Sequence, residues 1–194
     1  MPDNKQPRRT RKPATDNTFV HVQPQATEIE KTVLGALMID KDAYSVVCEL
    51  LYPESFYEPR NQKIYEAIRE LELREKPVDV WTVTEQLAHQ GDLEDVGGPG
   101  YVTELSSRVS SSASIEYHAR IIAQKFLARQ LISYASVIET KAFDETIDVE
   151  DLMQEAEGSL FELSQKNMKK DYTQSDPVIK NAVDGIQKAA ANKD

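Results

Sequence analysis

Cysteine is nearly absent. Cys48 is the single one in 194 residues, so no disulfide can form within the chain and nothing points to an oxidising compartment. Histidine is as sparse, and His21, His89 and His118 stand far apart, near no metal-ligand spacing. Glycine is scarce as well: Gly35, Gly91, Gly97, Gly98, Gly100, Gly158 and Gly185 are all there are. None precedes a lysine, which excludes the phosphate-cradling loop, and Gly97, Gly98 and Gly100 follow no strand and miss the dinucleotide-binding spacing. No run approaches the roughly 20 apolar residues needed to span a bilayer, and the N-terminus lacks the apolar stretch of a signal peptide. No period-two alternation marks a strand, so the expected fold is all-α in a cytoplasmic chain with no membrane contact.

What is present is enough for one folded unit with extensions: 40% of the residues are hydrophobic. The net charge of −10 is unevenly spread. Residues 1–23 hold Lys5, Arg8, Arg9, Arg11 and Lys12 against Asp3 and Asp16, a net of +3 that leaves −13 on the rest. An acidic body repels phosphate backbones, so only the tail is suited to nonspecific contact with DNA. With little apolar content the tail cannot offset the entropy of being ordered, and it reads as disordered. It carries no interleaved aromatics for stacking bases.

From residue 24 to 112 the pattern is that of a compact multi-helix head. Thr27 followed by Glu30 resembles a capping box, and Ile29, Val33, Ala36 and Leu37 recur at helical spacing. Ala43, Val46, Val47, Leu50 and Leu51 make a second short stripe closed by Pro53. An amphipathic helix follows from about Pro59 to Lys76, carrying Ile64, Tyr65, Ile68 and Leu71. Asp79 caps a short helix with Val83 and Leu87 that Gly91 terminates, and Gly97 to Gly100 punctuate the chain before Tyr101, Val102 and Leu105.

Residues 113–168 read as a long antiparallel helical hairpin. Ile121, Ile122, Phe126, Leu127, Leu131, Ile132, Ala135 and Ile138 form a near-heptad stripe. Asp148 caps the returning helix, whose face is Leu152, Met153, Ala156, Leu160, Phe161 and Leu163. Two helices alone cannot bury stripes this wide, which points to packing against another chain. Ile121, Phe126, Leu131, Leu152, Leu160 and Phe161 are the residues expected at that interface; the bland alternative is that they pack within one chain. Residues 169–194 read as a linker and the start of a linker helix, opened by Asp176 and Pro177 and carrying Val178, Ile179, Ala182, Val183, Ile186 and Ala190 on one face. That face points to a partner surface or to a domain outside this sequence.

Other chemistry-bearing residues have structural explanations. Glu28 and Glu30 flank the start of the first helix, where carboxylates favour the helix dipole. Trp81, among Val78, Val80 and Val83, reads as core, as does Cys48. Asp92, Glu94 and Asp95 lack the spacing of a calcium loop and read as a solvated turn. No catalytic, cofactor-binding or metal-binding residue is expected.

Five groups of residues, in this order and spacing, resemble the N-terminal domain of the bacterial replicative DNA helicase (DnaB) family: Glu28, Glu30, Val33, Leu34 and Gly35; Phe56, Tyr57, Ile64 and Tyr65; Pro77, Val78, Asp79 and Thr82; Gly97, Gly98 and Tyr101; and Ala113, Ile115, Tyr117 and Ala119. The similarity covers about residues 24 to 190. It departs from the family pattern at Ala26, where a capping Ser or Asn is usual, at Asn61, where His is frequent, and in a longer basic tail.

The resemblance implies a helical head and hairpin, with hairpins pairing heads into dimers and three dimers forming a hexameric collar above a motor ring. It further implies that the collar docks primase, that a helicase loader is a further partner, and that the linker helix binds a neighbouring subunit's motor domain. ATP, Mg and the DNA passing through the full ring would belong to a motor domain beyond residue 194. The competing reading is a freestanding helical DNA-binding regulator with a basic N-terminal arm.

Overall fold

The computed structural model describes residues 22–173, with side chains through residue 165. Seven α-helices run in the order α1 (Thr27–Ile39), α2 (Ala43–Val47), α3 (Pro59–Leu73), α4 (Val80–Gln90), α5 (Gly98–Ser107), α6 (Ile115–Ala142) and α7 (Val149–Thr173), with a 3-10 turn at Pro53–Ser55. No strand occurs among the described residues, in keeping with the missing period-two signal.

Helix α1 is the centre of the head. Val33, Leu34, Ala36, Leu37 and Met38 are all buried, so it is apolar nearly all round, as a helix enclosed by others must be. It packs against α3, α5 and α6. The crossing with α5 is close at Gly35, where a Cβ would lie 2.1 Å from the carbonyl oxygen of Leu105. Phe56, Ile64, Tyr65, Ile68, Val83, Leu87, Val102 and Leu105 complete the same core, which takes in Ile115, Ala119 and Ile122 from the first turns of α6. The hairpin is thus rooted in the head.

Local signals fix most helix ends. Asp79 accepts the backbone N–H of Thr82 at 2.9 Å while the Thr82 hydroxyl accepts the N–H of Asp79, a reciprocal cap at the start of α4. Gly91 closes α4 at φ 81° and Gly97 precedes α5 at φ 104°, backbone conformations that a side chain would strain. Asp148 Oδ1 accepts the N–H of Glu150 at 2.8 Å, capping α7.

Four expectations need correction. The capping box at Thr27 and Glu30 does not form: Ala26 is the cap position with no side-chain bond, Thr27 is already helical, and Glu30 turns into the core. Trp81 is not core but 79% exposed, because α4 directs Val83 and Leu87 inward, and Trp81, two positions before Val83, lies on the outer side. Cys48 is only half-buried at the end of α2, which closes at Val47 and leaves Val46 exposed. Helix α7 continues to Thr173, past the start expected for the linker at 169. The basic tail through residue 21 and the linker-helix residues Val178, Ile179, Ala182, Val183 and Ile186 lie outside the described residues.

Candidate functional site

At 28 residues, α6 is about 42 Å long at 1.5 Å per residue, and only its beginning is covered by the head. Beyond that point α7 returns alongside it. The Tyr134 hydroxyl donates to the Ala156 carbonyl at 2.7 Å, Lys141 pairs with Glu155, and Leu152 is buried. These contacts occupy one side of each helix.

The remaining sides keep apolar residues in solvent. Leu131, Ile132 and Val137 of α6, Phe143 at the hairpin tip, and Val149, Met153, Leu160 and Phe161 of α7 are all exposed, Phe161 by 64% and Phe143 by 82%. One exposed apolar residue is ordinary, but eight on a two-helix projection leave much apolar surface in solvent. Of the six residues expected at an interface, Leu131, Leu160 and Phe161 lie on this surface. Ile121 and Phe126 are half-buried nearer the head, and Leu152 is enclosed within the hairpin. The six therefore do not form one patch. Ile132 and Met153, which belong to the expected stripes, and Val137, which does not, are outward residues that the expected interface left out.

Where hairpin meets head, one cation adds to the apolar root formed by Ile115, Ala119 and Ile122. Arg129 of α6 donates to the carbonyl oxygens of Pro24 and Ser55, both at 2.8 Å, and its guanidinium lies 5.6 Å from the rings of both Tyr57 and Phe126. Burial pulls its pKa below the usual range, and the nearby Glu30 carboxylate opposes that shift. Glu30 is 1% exposed and accepts the Tyr57 N–H at 2.7 Å and the Asn61 side-chain amide at 2.9 Å, while Asn61 in turn accepts the Tyr101 hydroxyl at 2.9 Å. Asn61 is thus a core bridge and offers no surface contact. An arginine inside an apolar stripe was the available sign of this joint; the partners of Glu30 are too distant in sequence to have left one.

Among the described residues, two of the grooves lie along the hairpin. One of about 600 Å³ follows a single row of α6, from Arg129 through Ile132, Ser133, Ser136, Val137 and Thr140 to Lys141, with Gln23 at its head end. The other, of about 320 Å³, lies between the helices beside Tyr134 and Leu163. No glycine precedes a lysine, and among the described residues no three His, Cys, Asp or Glu side chains gather as a metal site. No described helix is long and apolar enough to cross a membrane.

A helical head with a rooted, laterally bare hairpin has close relatives. Residues 22–124 match the model of the DnaB-like helicase N terminal domain. The chain belongs to this family. The chain is 40% identical over 166 residues to the replicative DNA helicase DnaB of Rhodothermus marinus, covering 86% of this chain and 18% of that protein. It is 36% identical over 173 residues to the replicative DNA helicase DnaC of Bacillus subtilis (strain 168), covering 89% and 38%. The DnaB-family fold extends to solved structures. The crystal structure of the N-terminal domain of DnaB helicase from Mycobacterium tuberculosis superposes with a TM-score of 0.69 at 34% identity, covering 73% of this chain and 99% of that one. A structure of a DnaB-like replicative helicase and its interactions with primase matches at TM-score 0.59 and 26% identity, covering 70% and 31%. The chain spans 18 to 40% of the length of the curated helicases it resembles.

Proposed function

We propose that this chain is the assembly and primase-docking domain of an ATP-dependent replicative DNA helicase, acting through contacts and not through chemistry of its own. The apolar surface that α6 and α7 leave in solvent carries this reading, since its natural partners are the same surface of a second chain and the apolar faces of other proteins. The similarity to a helicase described with its primase interactions supports primase as one of those partners. Dimers formed by hairpins, three to a hexameric collar, with a helicase loader as a further partner, are the assembly this reading favours.

ATP hydrolysis and DNA unwinding belong to the larger part of the relatives, which this chain does not match. The face from Val178 to Ile186 would dock on a neighbouring motor domain. The helicase would work in the cytoplasm, on replicating DNA.

Titration of a bacterial primase into the chain, followed by light scattering and calorimetry, tests the proposal. Saturable binding that Leu160→Asp with Phe161→Asp weakens at least about tenfold, with the helix content of the chain unchanged, supports it. Equal binding by wild type and variant, or steeply salt-dependent duplex DNA binding carried by residues 1–21 with no primase binding, contradicts it and favours a DNA-binding regulator.

A further inference from the structure

Past Ile122 no residue of α6 is fully buried, yet the helix runs on to Ala142 and α7 packs back along it. The root formed by Ile115, Ala119 and Ile122 therefore holds one end of a long lever and leaves the direction of the rest to be set elsewhere. Arg129 is placed to set it. It stands about 10 Å beyond Ile122 along the axis, at 1.5 Å per residue, and its two terminal nitrogens reach separate pieces of the head. Nη1 donates to the Pro24 carbonyl, in the segment that enters α1, and Nη2 to the Ser55 carbonyl, in the 3-10 turn, each at 2.8 Å. Farther out, Tyr134 bonds to Ala156 and Lys141 pairs with Glu155, contacts that tie the hairpin's helices to each other.

Both receiving carbonyls are themselves held. Ser55 is fully buried and its hydroxyl accepts the Tyr52 N–H at 3.0 Å, while Glu30 accepts the N–H of Tyr57 at 2.7 Å. Pro24 lies just before Ala26, whose carbonyl accepts the Glu30 N–H at 3.0 Å in the first turn of α1. A guanidinium suits the place, because its planar fork offers several donors in fixed directions to acceptors on two segments at once. Its partners are neutral carbonyls, so parting them separates no contact ion pair. A swing of about 10° about Ile122 moves Arg129 by about 2 Å, enough to part at least one of the two bonds, and moves Glu139, ~25 Å from the pivot, by about 4 Å.

We infer that Arg129 is the latch that fixes the angle between hairpin and head, with Ile122 as the pivot, and so sets the direction in which the exposed Leu131, Leu160 and Phe161 face. Arg129 is a positioning residue in this account, and the inference stands whatever the hairpin binds.

Spin-label distances in the full chain test it, with Cys48→Ser throughout and the labelled chain diluted into excess unlabelled chain so that only distances within one chain are read. One label sits at the exposed position Glu85→Cys on α4. The other sits on α6, either at exposed Lys125→Cys, close to the pivot, or at exposed Glu139→Cys, far from it. With Arg129 in place both distances should be narrowly distributed. Arg129→Met should leave the Lys125 distance nearly unchanged and broaden or displace the Glu139 distance by about 4 Å or more, with helix content by circular dichroism unchanged. Arg129→Lys, whose ammonium lacks the fork, should give a smaller change in the same direction and takes over the test should the methionine variant unfold. A Glu139 distance as narrow and as long in the variant as in the wild type overturns the inference. So does equal broadening at both positions, which would make Arg129 a support of the head's own fold, and so does unfolding of both variants.

Discussion

Asn61 donates its side-chain amide to Glu30 at 2.9 Å, across 31 residues of sequence, and that bond joins the first helix of the head to the third. Glu30 also takes the N–H of Tyr57, on the segment whose neighbouring Ser55 carbonyl is held by Arg129 of the hairpin. A buried carboxylate therefore sets the strip of chain on which the hairpin rests.

Glu30→Ala leaves the Tyr57 N–H and the Asn61 amide without an acceptor. Buried donors left unsatisfied cost about 1–3 kcal/mol each, so the variant should lose about 3 kcal/mol, or ~10 °C in melting temperature for a chain of this size. Glu30→Gln, which keeps one acceptor oxygen, should lose about 1 kcal/mol. Thermal melts by circular dichroism separate the two; equal, small losses would show that the network contributes little.

Gly35→Ala places a methyl 2.1 Å from the Leu105 carbonyl and 2.8 Å from the Val109 side chain. Backbone cannot yield as a side chain can, so α1 and α5 must part, at a cost of about 3 kcal/mol, the upper part of the range for overpacking. Gly158, with nothing within 4 Å of its Cβ position, is the control. Gly158→Ala should stabilise α7 slightly by helix propensity. Urea midpoints measured on both variants check the sign of each.

Trp81→Ala should leave stability within about 0.5 kcal/mol of wild type, as exposed substitutions do. As the single tryptophan, Trp81 should emit at the long-wavelength limit of a hydrated indole and be quenched freely by iodide. Emission that is blue-shifted and protected would contradict the exposed position.

Acidification has a defined effect at Asp40. The Ser112 hydroxyl, and after it the Asp42 N–H, hold its carboxyl below the ordinary value of 3.8. A depressed folded pKa stabilises the fold above the unfolded value and loses that contribution as pH falls through the folded one. Wild type should therefore lose stability on acidification below about pH 4 by more than Asp40→Asn does. Melting curves from pH 6 down to pH 2 read the difference; parallel profiles would remove Asp40 from the acid response.

Much of this fold was legible because its signals are local. Asp79 with Thr82, Gly91, Pro59 and Asp148 act within one turn of the helix end they define, and the apolar spacing of α3 follows from the 3.6-residue period. What failed was decided at a distance. Glu30 looked like a cap because Thr27 stood three residues before it, and only the fold reveals its partners some thirty residues on. Trp81 looked buried because its neighbours in sequence are apolar, whereas direction along a helix, not composition, decides which of them faces in. The hairpin's breadth was visible as excess apolar residues, but which ones face out depends on how α7 settles on α6, a matter of rotation that spacing leaves open.

The central claim is that the hairpin's exposed apolar surface holds chains together, and the solution mass of the chain tests it most directly. Light scattering over a hundredfold concentration range, at low and high salt, should show a concentration-dependent dimer or larger assembly that persists at high salt, because burial of Leu131, Leu160 and Phe161 is not screened by ions. A Phe161→Asp variant should remain monomeric with unchanged helix content by circular dichroism, and should melt without the concentration dependence that assembly gives the wild type. A wild-type chain that stays monomeric to the highest concentration would contradict the account, leaving these side chains in solvent and collar assembly to other parts of the protein.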